Sequence, residues 1–244
     1  MARKSFKAGA LTAPLPPVLV TVGTKEKYNV LTVAWTGILA TIPPRTYVSI
    51  RPQRYSHALL SESGEFVINL PTAAMAREVD YIGIYTGAKV DKFKECGITA
   101  VPSESVAPPT VGECPVALEC RVCEVMHMGT HDVFIADIVG ITADESIIDG
   151  SGKIRFDRAD LLAYAHGEYF ALGEKLGEFG FSTKKTKPKA RAKAGGVSDK
   201  RASVSRKNGE KAMPVSSGED KEKRPFYLDI PRGKGKRGRG GKKK

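Results

Sequence analysis

From Val30 to Leu39 the chain alternates strictly, with Val30, Thr32, Ala34 and Thr36 on one side of an extended backbone and Leu31, Val33, Trp35 and Gly37 on the other. A period of two in β-branched and aromatic residues predicts a strand, and Thr46 to Arg51, with Tyr47, Val48 and Ile50, predicts another. Pro43-Pro44 lies between them and cannot donate to a sheet ladder, so the chain turns there. Further strands are predicted at Leu15 to Gly23 and Phe66 to Leu70. Two long ones, Val116 to Met128 and Asp132 to Ala143, are joined by Gly129-Thr130-His131, a hairpin signal. Helical character collects in Ser56 to Ser63, with Ser56 as N-cap and Gly64 closing the helix, and in the alanine-rich Thr72 to Tyr81. Many strands and few helices predict a mainly β fold, a small Greek-key barrel whose closure removes exposed edges.

Charge divides the chain in two. Residues 182–244 hold 22 Lys/Arg against 6 Asp/Glu, whereas residues 1–181 hold 17 against 21. The second part has almost no large apolar side chain before Phe226, too little to offset the entropy of ordering, so residues 183–244 are predicted to be a disordered Lys/Arg/Gly-rich tail on a folded domain of residues 1–182. Its closing Lys/Arg/Gly run is suited to sequence-blind, salt-sensitive contact with nucleic acid or another polyanion, or equally to remaining a solvated charge run. Pro14, Pro16 and Pro17 break the early apolar run that would otherwise imitate a signal peptide, and no later segment has the length of a membrane helix; a cytoplasmic protein without a membrane span is predicted.

Cys120-Arg-Val-Cys123 has the spacing of metal and redox motifs, but in a strand the two thiols face opposite sides, so no metal is predicted and the cysteines are read as free buried thiols. A Rossmann glycine fingerprint, a helical zinc-protease motif and a serine-hydrolase elbow are all missing. The chemistry gathers instead where the second strand ends, in Arg51-Pro-Gln-Arg54-Tyr55-Ser56-His57. Two guanidiniums with neighbouring hydroxyls suit a phosphate, with His57 near enough to join them.

The order of motifs carries a resemblance. It runs from Asn29-x-x-Thr32-x-x-Trp35-Thr36 through the Pro-Pro turn to Ser49-x-Arg51-x-x-Arg54-Tyr55-Ser56. It continues through Phe66-Val-Ile-Asn-Leu-Pro71, Val90-Asp91-Lys92-Phe93 and His131-Asp-Val-Phe-Ile-Ala-Asp137, and ends in Tyr164, Gly167-Glu-Tyr169 and Leu172 to Gly177. Over about residues 10–182 the chain resembles the flavin reductase-like family of FMN-binding split barrels, its flavoredoxin-like branch most closely. The resemblance implies a split β-barrel holding FMN. Thr32, Ala34, Trp35, Thr36 and Gly37 would form the ring slot, and Ser49, Arg51, Arg54, Tyr55 and Ser56 the phosphate site. Lys92 would add a cation at the ring edge or phosphate, and His131 would meet a nicotinamide or other electron donor. It further implies a homodimer, completed by Asp160 to Gly177, that moves electrons from NAD(P)H or a redox protein to flavin or an acceptor such as ferric iron. The alternative is a non-catalytic FMN-binding or polyanion-binding barrel recruited by its tail.

Overall fold

The computed structural model describes residues 2–183; the tail predicted for residues 183–244 lies, from residue 184 on, outside the described residues. In chain order the elements are β1 (Val18–Gly23), β2 (Tyr28–Val33), β3 (Thr36–Thr41), β4 (Pro44–Ile50), α1 (Tyr55–Ser63), β5 (Glu65–Leu70), α2 (Ala76–Ile84), α3 (Lys92–Cys96), β6 (Ala100–Val101), β7 (Thr110–Val111), β8 (Val116–His127), β9 (Asp132–Ala143), β10 (Leu162–Ala165) and β11 (Glu168–Ala171). Seven strands make one antiparallel sheet in the order β2-β1-β5-β8-β9-β4-β3, while β6-β7 and β10-β11 form small separate pairs.

β2 and β3 are consecutive in sequence yet lie at opposite edges of that sheet. The alternating run from Val30 to Leu39 is therefore two strands, interrupted at Ala34-Trp35, where the chain leaves one edge and enters the other. Alternation continues through the break because side-chain period does not register a change of partner. The Ser49 N–H in β4 donates to the Trp35 carbonyl at 3.0 Å, which carries the β3–β4 ladder one residue into the break.

The barrel interior is filled by Val18, Val20 and Val22 of β1, by Leu31 and Val33 of β2, and by Phe66, Phe134 and their neighbours, with Leu59 and Leu60 of α1 packed among them. Each fully buried Leu, Val or Phe contributes about 1.5–3 kcal/mol of apolar transfer, which is why α1 stays on the barrel. β1 is buried along its whole length, because its outward Leu19, with Val30 of β2, lies under Val79 and Ile82 of α2 and Phe93 of α3.

Two helix starts differ from the sequence expectation. Helix α1 begins at Tyr55 with Arg54 as N-cap residue, so Ser56 is not a cap; it sits in the first turn, and its hydroxyl has another partner described below. The alanine-rich stretch opens as a 3-10 turn, Ala73–Met75, before α2 runs on to Ile84. The Ala73 N–H is held by the Asp160 carbonyl at 2.7 Å, and Thr72 forms an extended bridge with Leu161, which delays the α-helix.

Between β6 and β7 the chain crosses the outer face of the sheet on side-chain hooks. The Ser105 N–H and, at 3.0 Å, the Glu104 N–H donate to the fully buried carboxylate of Glu119, and the Ala107 N–H donates to Glu65 at 2.9 Å. Asn69 accepts from the Val111 N–H at 2.9 Å. A covered loop needs such partners because its peptide groups have lost water. Cys114 and Cys120 are buried as expected, but Cys96 is half-buried and Cys123 is exposed, because Cys123 faces the opposite side of β8 from the core residue Cys120. Burial pushes the Cys114 thiol up and that of Cys120 up to about 12, so neither is a thiolate at neutral pH. Among the described residues, no helix is long and apolar enough to cross a membrane.

Candidate functional site

At the break between β2 and β3 the surface opens into a cleft of about 340 Å³. It is lined by Leu31 to Trp35, by Ser49 to Arg51 at the end of β4 with His131, and by Asp80, Gly83 and Ile84 of α2 with Tyr164 and Tyr169. Leu31, Thr32, Arg54 and Gly83 are shared with a smaller pocket of about 120 Å³, whose further lining includes Asn29, Tyr55, Ser56 and Lys92. The two therefore form one trench along β2.

The cleft end carries the aromatic side chains Trp35, His131, Tyr164 and Tyr169. Trp35 is not a core residue; it is 40% exposed, and its ring lies against that of His131 with centroids 4.5 Å apart. The Thr130 hydroxyl and His131 Nδ1 are 2.9 Å apart. Burial, reinforced by the Arg51 charge, holds His131 below its ordinary pKa, so the imidazole is neutral at neutral pH. The base of its hairpin is pinned by Asp132, whose two carboxylate oxygens lie 2.7 Å from His127 Nδ1 and 2.7 Å from His57 Nε2. Those bonds, His127 first, hold the Asp132 carboxyl below its usual range. His57 is thereby engaged away from the anion pocket that the sequence placed within its reach.

The pocket end is built for an anion. Arg51 to Arg54 is a turn closed by the Arg54 N–H on the Arg51 carbonyl at 3.0 Å, with proline at its favoured second position. Arg54 lines both cleft and pocket, and its Nη1 donates to the Gly83 carbonyl at 3.1 Å; Arg51 lines the cleft alone, beside His131. Ser56 is buried, and Asn29 Nδ2 donates to its hydroxyl at 2.6 Å. An accepting hydroxyl keeps its own proton to donate onward. The α2–α3 connection lies so close that a Cβ on Gly87 would stand 2.2 Å from Asn29 Oδ1, so only glycine leaves that carboxamide in place.

Lys92 is 4% exposed, and its ammonium donates to the Val30 carbonyl at 2.9 Å and the Ile82 carbonyl at 2.8 Å. Ile82 lies in the last turn of α2, where carbonyls lack helical partners, so Lys92 fastens that helix end to the edge strand β2. An ammonium has three N–H groups, and the third is left for the pocket. Burial first, then the Arg54 charge, lowers its pKa to about 8.

Thr32, Ala34, Trp35, Ser49, Arg51, Arg54, Tyr55, Ser56, Lys92 and His131 thus come together along the trench. Thr36 and Gly37 do not line it. The Thr36 hydroxyl donates to the Tyr47 carbonyl at 2.6 Å, and the Gly37 carbonyl accepts from Thr46 at 2.9 Å, so both fasten β3 to β4. Residues absent from the sequence-based site are Asn29, Asp80, Gly83, Tyr164 and Tyr169. Asn29 carried a signal, since it is a polar residue heading an otherwise apolar alternation. Tyr169 stood in the closing motif but was read with the dimer segment: its place at the cleft depends on the β10–β11 hairpin, where its hydroxyl donates to Asp80 at 3.3 Å. Burial and the Asp80 charge push that phenol up to about 12, so it remains a neutral donor.

A partly aromatic slot continuous with a pocket of guanidinium, ammonium and hydroxyl donors fits a planar ligand that ends in an anion. Comparison with known proteins shows what the chain is similar to. Residues 11–173 match the flavin reductase like domain family. The fold is similar to that of a flavoredoxin of Desulfovibrio vulgaris, with 34% identity, 75% of this chain and 100% of that one covered, and a TM-score of 0.70. It is also similar to an FMN-binding protein of Thermus thermophilus solved with bound 1-cyclohex-2-enone, with 25% identity, 72% and 99% coverage, and a TM-score of 0.62. An uncharacterized protein of Pyrococcus abyssi is 33% identical over 166 residues, which are 68% of this chain and 95% of the relative.

Proposed function

The chain belongs to the flavin reductase-like family, with the split-barrel fold of its structural relatives, and from that we infer an FMN-dependent oxidoreductase of the flavoredoxin type. The observation that carries this reading is the unbroken trench from the Trp35–His131 slot to the Arg54–Ser56–Lys92 pocket. The ring system would lie along Thr32 to Trp35, and the phosphate would take the Ser56 hydroxyl, the third N–H of Lys92 and the Arg54 fork. When bound, FMN supplies a ring that accepts a hydride and can release electrons one at a time. The chain's own part would be to orient and exclude: Trp35 and neutral His131 would hold a second flat reactant against the ring, and Arg51, which lines the cleft, would stabilise negative charge on a reduced ring.

Electrons would come from NAD(P)H or from a redox protein and leave to free flavin, ferric iron or a protein acceptor. A homodimer would be completed by the segment from Asp160 to Gly177, where Phe170, Leu172 and Leu176 are exposed. To test the redox reading, FMN-loaded protein is mixed with NADH or NADPH in the absence of oxygen. Rapid loss of the yellow colour identifies a pyridine-nucleotide reductase; colour that persists until a low-potential electron donor is added identifies a partner-fed carrier. Colour that neither treatment discharges contradicts an oxidoreductase.

Lys92 makes binding depend on pH. Its pKa in the empty protein is about 8, and a phosphate beside it favours the charged form, so FMN binding returns a proton to Lys92 wherever the empty protein has lost it. Affinity is therefore expected to be level below about pH 8 and to fall above it, by at most about tenfold per pH unit. Titrations with FMN between about pH 7 and 9 check this. The Lys92→Met variant should bind more weakly and lose the slope; a slope that survives in it assigns the proton to another group.

A further inference from the structure

One buried carboxylate stands between the two ends of the trench. Asp132 is 7% exposed and lines neither the cleft nor the pocket. It follows His131 in the chain, opens β9, and pairs with Ile50 at the end of β4 and with His127 across the hairpin. Its Oδ2 lies 2.7 Å from Nε2 of His57, the residue after Ser56 in the first turn of α1. The carboxylate is thus one residue from the histidine of the slot and one hydrogen bond from the neighbour of the pocket's serine. Among the described residues this is the one side-chain hydrogen bond between α1 and the β8–β9 hairpin.

Both ends of the tie are held in place. An ionised carboxylate only accepts, so the His57 ring donates from Nε2. That ring stands edge to face with the buried Phe134 at 5.2 Å between centroids, and Phe134 is two positions on from Asp132, on the same face of β9. The His57 N–H donates to the Arg54 carbonyl at 2.9 Å, so the tie reaches the turn that presents both arginines. At the other end the Met128 N–H donates to the His131 carbonyl at 2.8 Å and closes the hairpin tip whose imidazole lies against Trp35. The second carboxylate oxygen goes to His127, whose side chain is exposed, and that bond does not leave the hairpin.

We propose that Asp132 is a positioning residue for the flavin site: its bond to His57 holds the phosphate pocket at the start of α1 and the His131 hairpin in register, so that a ligand seated in the pocket meets the slot in place. The proposal rests on the flavin reading of the trench and adds to it a residue that touches no ligand.

Four variants of the full chain test it. His57→Phe keeps the ring packing and removes the bond, whereas His57→Gln sets an amide N–H where Nε2 stood and keeps it. Two measurements separate positioning from general loosening: the affinities for FMN and riboflavin, and acrylamide quenching of Trp35, the chain's one tryptophan, in the flavin-free protein. His57→Phe should lose about tenfold of FMN affinity and less than about twofold of riboflavin affinity, and its Trp35 quenching should rise toward that of His131→Ala. His57→Gln should stay near the parent in both. Asp132→Ala cuts the tie from the other side and should repeat the His57→Phe pattern, and it decides the question if His57→Phe does not fold. Equal losses for the two flavins, or a lower Tm with both readouts at parent values, overturns the proposal and leaves the FMN site standing. His57→Gln as impaired as His57→Phe also overturns it, because the bond is then not what matters. If the parent binds neither flavin, the flavin reading of the trench falls and the proposal with it.

Discussion

Replacing Arg51 and Arg54 together by alanine is expected to weaken FMN binding by roughly 10²–10⁴-fold, on the basis of about 1.5–3 kcal/mol for each charged hydrogen bond removed. The loss should be much smaller for riboflavin, which has the same ring and no phosphate. Of the single changes, Arg54→Ala should carry the larger share, because Arg54 alone lines the pocket that contains Ser56 and Lys92. Arg51→Ala should act more on the cleft, where its charge bears on His131. Both arginines are exposed at the turn they share, so thermal stability should change little. Equal losses for FMN and riboflavin would contradict a phosphate role, and a large fall in Tm would assign the pair to the fold.

Much of this was legible because it is local. Alternation located the strands, Gly129-Thr130-His131 marked the hairpin, and Gly64, at φ 66°, closes α1 where it was expected to. Local pattern does not report partners. The run through Ala34-Trp35 read as one strand although it joins the two edges of the sheet, and that break is what creates the slot. Thr36 and Gly37 were grouped with the slot because they continue the same run, yet past the break they bond only to β4. Ser56 read as a cap because hydroxyls favour helix starts; Asn29, 27 positions away, takes its oxygen instead. Lys92 was legible as a cation near the site, but its grip on two backbone carbonyls depends on how α2 and β2 meet.

The largest effect on stability is expected at a residue far from the trench. Glu119 is fully buried in β8 and receives the Glu104 and Ser105 N–H groups, opposite Gly140, whose missing side chain makes room for the carboxylate. Glu119→Ala strands both N–H groups and leaves a void. A loss of about 3 kcal/mol is expected, equivalent to a fall in Tm of roughly 6–12 °C for a domain of this size. Glu119→Gln keeps one acceptor and the volume, so it should lose less. Thermal unfolding of the three proteins checks the order, and FMN affinity of the folded variants should be unchanged. An alanine variant as stable as the parent would show that the β6–β7 loop does not depend on these hooks.

The central claim is that the break between β2 and β3 and the pocket behind it form a single flavin site. Its most direct test is an equilibrium titration of the purified, folded chain with FMN, followed by desalting and an absorbance spectrum. The account predicts saturation at one FMN per chain, a yellow protein after desalting, and markedly weaker binding of riboflavin. A colourless protein that shows no saturable binding of added FMN would contradict it.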